Sequence, residues 1–257
     1  MSNTVLFKKG CDNYLLEAFR VLRSNIYFLE KKEKKIILFT STIPNEGKTT
    51  VAKNYAMSVA ITGKKVISVN CDIRRDKKYN NFGLDINYGI ESVLAGDREL
   101  DEVIVRDVQK NLDVLPAKHL KNGVTGFFLG ERIKKLLKEL NKRYDLVVLD
   151  TPPLTIATDA AILSEYADGV IYVCGYDMVT KEKMLRSKKI LKRAGAKIYG
   201  VVINKVDEKA YAGNYGYEEY TEYDNYIKDD MLGMSARRKR KKNKFFKVKS
   251  FLSRTLF

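Results

Sequence analysis

The sequence is poor in the residues that build disulfide scaffolds and zinc sites. Its 257 residues include 3 cysteines and 1 histidine. Cys11, Cys71 and Cys174 lie far apart without the spacing of metal ligands, which argues against both kinds of protein and suits a reducing cytoplasm. The N-terminus has no apolar run of the signal-peptide kind, and no segment reaches the ~20 apolar residues of a membrane span. We therefore expect a cytoplasmic protein that is soluble by itself.

The positive charge of the chain is concentrated at one end. The formal net charge is +16, but residues 237–257 hold ten Lys or Arg and no acid. The other 236 residues therefore carry 38 basic against 32 acidic side chains, a net charge of +6. Apolar residues interleave the basic tail at helical spacing: Phe245, Val248, Leu252 and Leu256. This pattern favours binding to an anionic membrane surface over two alternatives, non-specific nucleic-acid binding and a solvated tail.

Short apolar runs bounded by turn residues alternate with amphipathic segments. Runs such as KVISV and LVVL are unbroken and β-branched, which is typical of strands covered on both faces and hence of parallel sheets. The pattern predicts strands at 36–40, 66–70, 112–115, 146–149, 169–174 and 199–203, and helices at 12–29, 49–63, 91–95, 131–141, 159–166 and 181–194. We therefore predict a doubly wound α/β domain with a mostly parallel sheet.

The segment between the first predicted strand and the next helix has the character of a phosphate-binding loop. Residues 39–50 read FTSTIPNEGKTT. Backbone N–H groups of such a loop, together with the N-terminus of the following helix, bind polyphosphate. Lys48 would reach the β- and γ-phosphate oxygens, and the Thr49 hydroxyl would bind Mg²⁺. The strict loop pattern is not met, because Thr42 stands where its first glycine belongs.

Two carboxylates follow predicted strands. VISVNCDIRR places Asn70 and Asp72 at the end of one strand, and YDLVVLDTPP places Asp150 at the end of another. The carboxyl ends of parallel strands share one edge of a sheet, where ligands bind. Asp72 and Asp150 would therefore both approach the Mg²⁺ held by Thr49, mostly through water.

Three other polar residues near strand ends each have two interpretations. Arg74 and Arg75 either contact phosphate or are solvated surface arginines. Asn204, in VVINKVD, either supports base recognition or simply begins a polar turn. The sequence leaves both pairs of alternatives open.

A tyrosine-rich acidic segment follows the last predicted strand. Residues 211–226 read YAGNYGYEEYTEYDNY and contain six of the sixteen tyrosines, four acids and no Lys or Arg. No helical or strand period places the rings on one face, so the segment is not built as a core. It has the character of a set of enzymatically modified sites: Tyr211, Tyr215, Tyr217, Tyr220, Tyr223 and Tyr226.

The loop, the acidic strand ends and the tyrosine segment together resemble the bacterial tyrosine kinase (BY-kinase) family, over residues 15–226. The family's Walker A motif P-x-E-G-K-[ST] is matched at 44–49, and its Walker A′ motif D-x-D-x-R by Asp72 and Arg74. Its Walker B motif is matched by LVVLDTPP with Asp150. More narrowly, the chain resembles the separate cytoplasmic kinase subunit of capsular or exopolysaccharide systems.

The resemblance implies a deviant Walker A fold of the MinD/ParA type, with ATP and Mg²⁺ as cofactors. It assigns catalysis to Lys48, Asp72, Arg74 and Asp150, and metal binding to Thr49, Asp72 and Asp150. It assigns the nucleotide to Pro44, Asn45, Glu46, Gly47, Lys48, Thr49, Thr50 and Asn204. A tyrosine of one subunit would attack the γ-phosphate held by its neighbour, with Asp72 as the base.

The resemblance also implies partners and a location. The family's helical E-x-x-R-x-x-R motif for oligomer contacts is matched by Glu17, Arg20 and Arg23, whose alternative is an ion-paired helix face. A membrane-embedded polysaccharide co-polymerase or activator protein would place the chain at the inner face of the plasma membrane. The expected segments are a helical oligomerisation segment (1–34), a P-loop kinase domain (35–207), a phosphoacceptor segment (208–230) and a basic amphipathic tail (231–257).

Asn70 occupies the position of the first Walker A′ aspartate. An asparagine can bind a metal-bound water but cannot take a proton from a tyrosine, so it predicts a weakened enzyme. Two rival functions stay open. One is an ATPase of the chromosome-partitioning and division-positioning class, although residues 39–42 lack that class's additional lysine. The other is a nucleotide-binding regulatory subunit without activity.

Overall fold

In a computed structural model of the protein, the described residues are 13–29, 35–74, 86–120, 126–206 and the backbone of 249–250. The helices are α1 (Asn13–Leu29), α2 (Lys48–Ala60), α3 (Ile90–Ala95), α4 (Leu100–Val103), α5 (Glu131–Arg143), α6 (Asp159–Ser164) and α7 (Lys181–Arg193). The strands are β1 (Lys35–Ser41), β2 (Val66–Asn70), β3 (Val105–Gln109), β4 (Leu112–Leu115), β5 (Leu146–Asp150), β6 (Gly169–Gly175), β7 (Ile198–Asn204) and β8 (Lys249–Ser250).

The strands form one sheet in the order β3-β4-β2-β5-β1-β6-β7-β8. Strands β4, β2, β5, β1, β6 and β7 run parallel, and among the described strands the two at the edges are antiparallel to their neighbours. The prediction of a mostly parallel sheet is confirmed. Each parallel strand ends at the same edge, and this arrangement brings the loops after β1, β2, β5, β6 and β7 together.

Helices cover both faces of the sheet, as the unbroken apolar strands predicted. β1 shows why: Ile36 and Leu38 pack on one face with α3 to α7, whereas Ile37 and Phe39 pack on the other with α1 and α2. Successive side chains of a strand point to opposite faces, so a strand buried on both sides must be apolar throughout. The fold is doubly wound around two hydrophobic cores.

The edge strand β3 and the short helix α4 were not predicted from the sequence. β3 is charged and half-exposed, and it pairs with β4 through a tight hairpin. Asn111 in the turn and Asp107 in the strand have φ values of 65° and 50°. The backbone N–H of Asp107 donates to the Asp113 carboxylate at 2.8 Å.

Two predicted segments fall largely outside the described residues. The tyrosine segment lies wholly outside them, and so does most of the basic tail. Within the tail, Lys249–Ser250 forms the two-residue strand β8, which pairs with Val202 and Ile203, where apolar spacing predicted a helix. Among the described residues, no helix is both long and apolar enough to cross a bilayer.

Candidate active site

The phosphate-binding loop leaves the end of β1 and enters the N-terminus of α2. Asn45 and Gly47 have positive φ values, 68° and 90°, so the chain curls tightly before the helix begins at Lys48. Glycine and asparagine tolerate this left-handed backbone best. The first helical hydrogen bond runs from the N–H of Val51 to the carbonyl of Gly47 at 2.9 Å. The helix therefore presents its N-terminus to the loop, as phosphate binding requires.

Four predicted site residues converge at this point. The Lys48 ammonium lies 3.4 Å from an oxygen of Asp72 and 3.4 Å from an oxygen of Asp150. It lies 3.2 Å from the Thr49 hydroxyl. Lys48, Asp72 and Asp150 are all buried, so their charges interact in a poorly solvated environment. The structure thus brings the two strand-end carboxylates together beside Lys48 and Thr49, and their binding of Mg²⁺ stays a prediction.

The neighbouring strands β2 and β5 hold the two carboxylates. Asn70 lies opposite Asp150 in the parallel register, and the backbone N–H of Cys71 donates to the Asp150 carbonyl at 2.7 Å. The Asn70 side-chain oxygen accepts the backbone N–H of Asp72 at 2.9 Å. Asparagine therefore makes the hydrogen bond that an aspartate would make here, and it shapes the turn that carries Asp72.

The chemistry of this donor set suits Mg²⁺. Two carboxylates and a hydroxyl supply the oxygen ligands that Mg²⁺ prefers, and Mg²⁺ is usually bound by one or two carboxylates with substrate phosphates and waters. In the described part of the chain there is no larger cluster of His, Cys, Asp or Glu that could hold a metal. Thr49, Asp72 and Asp150 are therefore the residues that fit the ion.

The Glu46 side chain makes contacts that the sequence did not indicate. Its carboxylate is fully buried. It accepts the backbone N–H of Ile43 at 2.7 Å and that of Gly175, at the end of β6, at 3.0 Å. Burial raises the pKa of Glu46, and these backbone hydrogen bonds lower it in part. Glu46 thus joins the loop to β6, and its side chain is not placed as a nucleotide contact.

Thr42 also joins the loop to β6. Its hydroxyl hydrogen-bonds the buried hydroxyl of Tyr172, and its carbonyl accepts the backbone N–H of Thr155 at 3.1 Å. A glycine at position 42 could not form the Tyr172 contact. The departure from the strict loop pattern therefore has a structural role.

Asn204 lies behind the loop as well. Its side-chain N–H₂ donates to the Glu46 carbonyl at 2.8 Å, and the residue is fully buried. Its side-chain oxygen is buried without a hydrogen-bond partner among the described residues. The structure thus shows a tether between β7 and the loop, and base recognition by Asn204 stays a prediction.

Arg74 is engaged in an ion pair that the sequence did not indicate. Its guanidinium donates to the two carboxylate oxygens of Asp159 at 3.0 and 3.3 Å. Asp159 begins α6 and is buried. The pair links the end of β2 to the segment that follows β5, on the same edge as Lys48. Arg75 lies outside the described residues.

The three residues of the predicted oligomer motif separate into two groups. Glu17 and Arg20 form an exposed ion pair at 3.0 Å. This is the arrangement expected of an ion-paired helix face, the alternative to an oligomer contact. Arg23 instead donates to the carbonyl of Ser58 in α2 and is only partly exposed. The last turn of α1 exposes Tyr27 and Phe28. Oligomer contact by these residues stays a prediction.

Comparisons with known proteins agree with this site. Residues 34–182 match the protein family described as AAA domain. The chain is 32% identical over 203 residues to the tyrosine-protein kinase YwqD of Bacillus subtilis, covering 78% of this chain and 86% of the relative. It is 31% identical over 213 residues to the putative tyrosine-protein kinase EpsB of Ralstonia nicotianae, covering 82% of this chain but 28% of that relative. The chain thus spans most of one relative and less than a third of the other.

Solved structures give the same result for the fold. The chimerical protein CapA2B2 has a TM-score of 0.74 at 29% identity, covering 80% of this chain and 91% of its own. The kinase domain of the Escherichia coli tyrosine kinase ETK has a TM-score of 0.72 at 31% identity, with coverages of 79% and 80%. MinD of Pyrococcus horikoshii shares the fold at a TM-score of 0.59 and 24% identity, with coverages of 73% and 76%. The predicted P-loop fold of MinD/ParA type is confirmed.

Proposed function

We propose that this chain, which belongs to the family of bacterial tyrosine-protein kinases, transfers the γ-phosphoryl group of ATP to tyrosines of its own segment 211–226. The convergence of Lys48, Asp72 and Asp150 within 3.4 Å beside the loop is the observation that carries this proposal. Phosphoryl transfer depends mainly on positioning and on neutralising charge, and this site supplies both.

The residues divide the reaction between them. The loop N–H groups and the Lys48 ammonium would hold the β- and γ-phosphates in place. Bound Mg²⁺, on Thr49, Asp72 and Asp150, would add positive charge next to the phosphates. The tyrosine oxygen forms a bond to the γ-phosphorus while the bond from that phosphorus to the β–γ bridging oxygen breaks, and ADP leaves. Asp72 is the proposed acceptor of the tyrosine proton, since Asn70 cannot take it.

The acceptor tyrosines are proposed to belong to a second subunit. The described part of the domain ends at Val206, directly after the edge of the sheet that carries the site, and Tyr211 follows five positions later. Mixing two variants tests this arrangement. Label on a Lys48→Met chain, after incubation with a chain whose six segment tyrosines are Phe, supports transfer between subunits. Label only in unmixed native chain would mean transfer within one subunit.

Incubation of the full chain with γ-labelled ATP tests the function itself. Labelled peptides from 211–226, lost in Lys48→Met, support the kinase. Release of labelled phosphate without labelled tyrosine would favour the ATPase alternative. The fold that the chain shares with MinD is compatible with that alternative. If neither product forms, with or without a membrane activator, the regulatory subunit without activity is the remaining interpretation.

We also propose that the chain acts beside a membrane protein of a polysaccharide assembly system. The ten basic residues of 237–257 support contact with anionic lipid at the inner face of the plasma membrane. Sedimentation with anionic vesicles tests the tail, because deletion of 237–257 should abolish binding. Vesicle binding that survives the deletion would refute this part of the proposal.

A further inference from the structure

The outer face of α7 concentrates positive charge. The helix holds seven Lys or Arg and one acid among its 13 residues. Its net charge of +6 equals that of residues 1–236 as a whole, so the rest of this region is balanced. Six of these cations are exposed and form no ion pair with a described carboxylate: Lys181, Lys183, Arg186, Lys189, Lys192 and Arg193.

The other basic helix, α5, differs in this respect. Its Arg132 donates to the Leu94 carbonyl at 2.7 Å, and its Arg143 pairs with Asp101 at 2.8 Å. Those cations stabilise the fold. Like charges three or four residues apart destabilise a helix, and none of the six exposed cations forms an ion pair with a described carboxylate that would offset this effect. The six exposed α7 cations therefore face outward and pair with none of the described carboxylates.

The chemistry of this face suits an acidic, aromatic peptide. Arg186, Lys189 and Arg193 lie on one side at spacings of three and four, opposite the buried Ser187 and Leu191. Beside them Leu185 is 44% exposed. Guanidinium groups bind carboxylates and also stack on aromatic rings, and a leucine adds an apolar contact. A bilayer would need a broader apolar face, but the other apolar residues of α7 are turned toward the core.

The N-terminus of α7 lies at the edge of the sheet that carries the active site, and the helix runs from there toward the opposite edge. α7 follows β6, whose last residue, Gly175, donates to the Glu46 carboxylate and pairs in register with Asn204. The chain leaves β7 at the same edge of the sheet and continues into the acidic segment. Between Val206 and Tyr211 the chain can span at most about 16–18 Å. The end of β7, the N-terminus of α7 and the phosphate-binding loop thus lie at one edge of the sheet.

We propose that the face formed by Leu185, Arg186, Lys189 and Arg193 is a docking surface for the tyrosine segment 211–226 of a second copy of the chain. The proposal rests on the proposed function, in which that segment is the phosphoacceptor. Its four acids and lack of Lys or Arg complement the face in charge. Residues docked along α7 would leave the remaining tyrosines within reach of Lys48.

Binding of a fluorescent 211–226 peptide to the full chain, followed by anisotropy, tests the surface without any need for catalysis. The R186Q/K189Q/R193Q variant should bind the peptide about tenfold more weakly, and added salt should weaken binding to the native chain. The matched control, K134Q/K135Q/K138Q on α5, removes the same charge and should bind as the native chain does. A peptide with Gln in place of Glu218, Glu219 and Glu222 should bind the native chain more weakly than the unchanged peptide does. The same change in the peptide should not further weaken its binding to the α7 variant.

Several outcomes would overturn the proposal: equal affinity of the α7 variant and the native chain, equal loss in both helix variants, or no peptide binding to the native chain. Loss of anionic-vesicle binding alone in the α7 variant would assign the face to a membrane instead. Peptide binding that depends on α7 in a chain without kinase activity would uphold docking and refute the function. In the mixing assay, the α7 substitutions should raise the KM for the acceptor when placed in the enzyme copy, and change nothing in the acceptor copy.

Discussion

The side-chain oxygen of Asn70 accepts the backbone N–H of Asp72 at 2.9 Å. An aspartate at position 70 could accept the same hydrogen bond and would add a third carboxylate beside Asp72 and Asp150. We therefore expect Asn70→Asp to raise the rate of tyrosine phosphorylation, by up to the ~10²–10⁴-fold typical of proton-transfer groups. Initial rates with γ-labelled ATP measure this. Asn70→Ala is the control, and it should be slower than the native chain.

The new carboxylate should also lower stability. Position 70 lies opposite Asp150 in the sheet, so two negative charges would face each other without added cations. Asn70→Asp should therefore melt at a lower temperature than the native chain when Mg²⁺ is absent. An unchanged rate together with unchanged stability would mean that Asn70 is remote from both the proton transfer and the metal.

Disruption of the Arg74–Asp159 pair should destabilise the domain. In Arg74→Met the Asp159 carboxylate stays buried and loses its cation. Loss of a fully buried partner costs ~3–5 kcal/mol, and the partial exposure of Arg74 reduces our expectation to about 2 kcal/mol. Urea denaturation measures the loss. Arg20→Met, which breaks the exposed pair with Glu17, serves as the matched control and should cost under ~0.5 kcal/mol.

A second substitution distinguishes the ion pair from packing. Asp159→Asn in the Arg74→Met background removes the uncompensated charge and should recover part of the lost stability. If the two losses simply add, the carboxylate and the guanidinium do not act as a pair.

Replacement of Glu46 by Gln should loosen the phosphate-binding loop. The carboxylate accepts two backbone N–H groups, those of Ile43 and Gly175, but a carboxamide offers only one oxygen. One N–H group is left unpaired, which costs ~1–3 kcal/mol when buried. We expect a raised KM for ATP with a smaller change in kcat. Glu165→Gln is the matched control, because Glu165 is exposed and lies outside the loop, and it should keep the native KM.

Glu46 also predicts a pH dependence of stability. Burial raises the pKa of Glu46 above 4.5, so above that pH the folded chain keeps a proton that the unfolded chain has lost. The free energy of unfolding of the native chain, relative to Glu46→Gln, should therefore fall as the pH rises from about 4.5 through the pKa of the folded state. Urea denaturation of both chains across this range measures the difference. If the difference in free energy of unfolding between the two chains does not change with pH, the pKa of Glu46 is not raised in the folded state.

The two described cysteines should be unreactive in the folded chain. Burial raises the pKa of Cys71, helped by the nearby Asp150 carboxylate, and burial raises that of Cys174 to about 11. Thiolates are the reactive species, so a thiol reagent should label a Cys11→Ser chain only when it unfolds. Rapid labelling of either thiol without urea would show that the strand ends open locally.

The sequence predicts the parallel strands well because most of them are buried on both faces and are therefore mostly apolar. β1 and β5 are buried along their whole length. β3 escapes prediction because an edge strand can carry charge on its open side, and its Arg106 and Asp107 interrupt any apolar run. Polar residues at strand ends indicated the site because parallel strands end at the same edge of the sheet.

The roles of Glu46 and Arg74 could not be predicted, for a different reason. A motif gives the identity of a side chain but not its direction. Glu46 faces Gly175 and Arg74 faces Asp159, partners that lie 129 and 85 residues away in the chain. Only the folded sheet brings them together. Lys48, Asp72 and Asp150 were easier because the rule that ligands bind at the carboxyl edge applies to them directly.

The tethers behind the phosphate-binding loop have a thermodynamic consequence. Thr42 and Glu46 fix the loop to β6, and Asn204 fixes it to β7. A loop already held in its curled shape has little conformational entropy to lose when a ligand arrives. Nucleotide affinity should then depend on the charges at the edge of the sheet rather than on a folding step, and calorimetry should record a small heat-capacity change on binding.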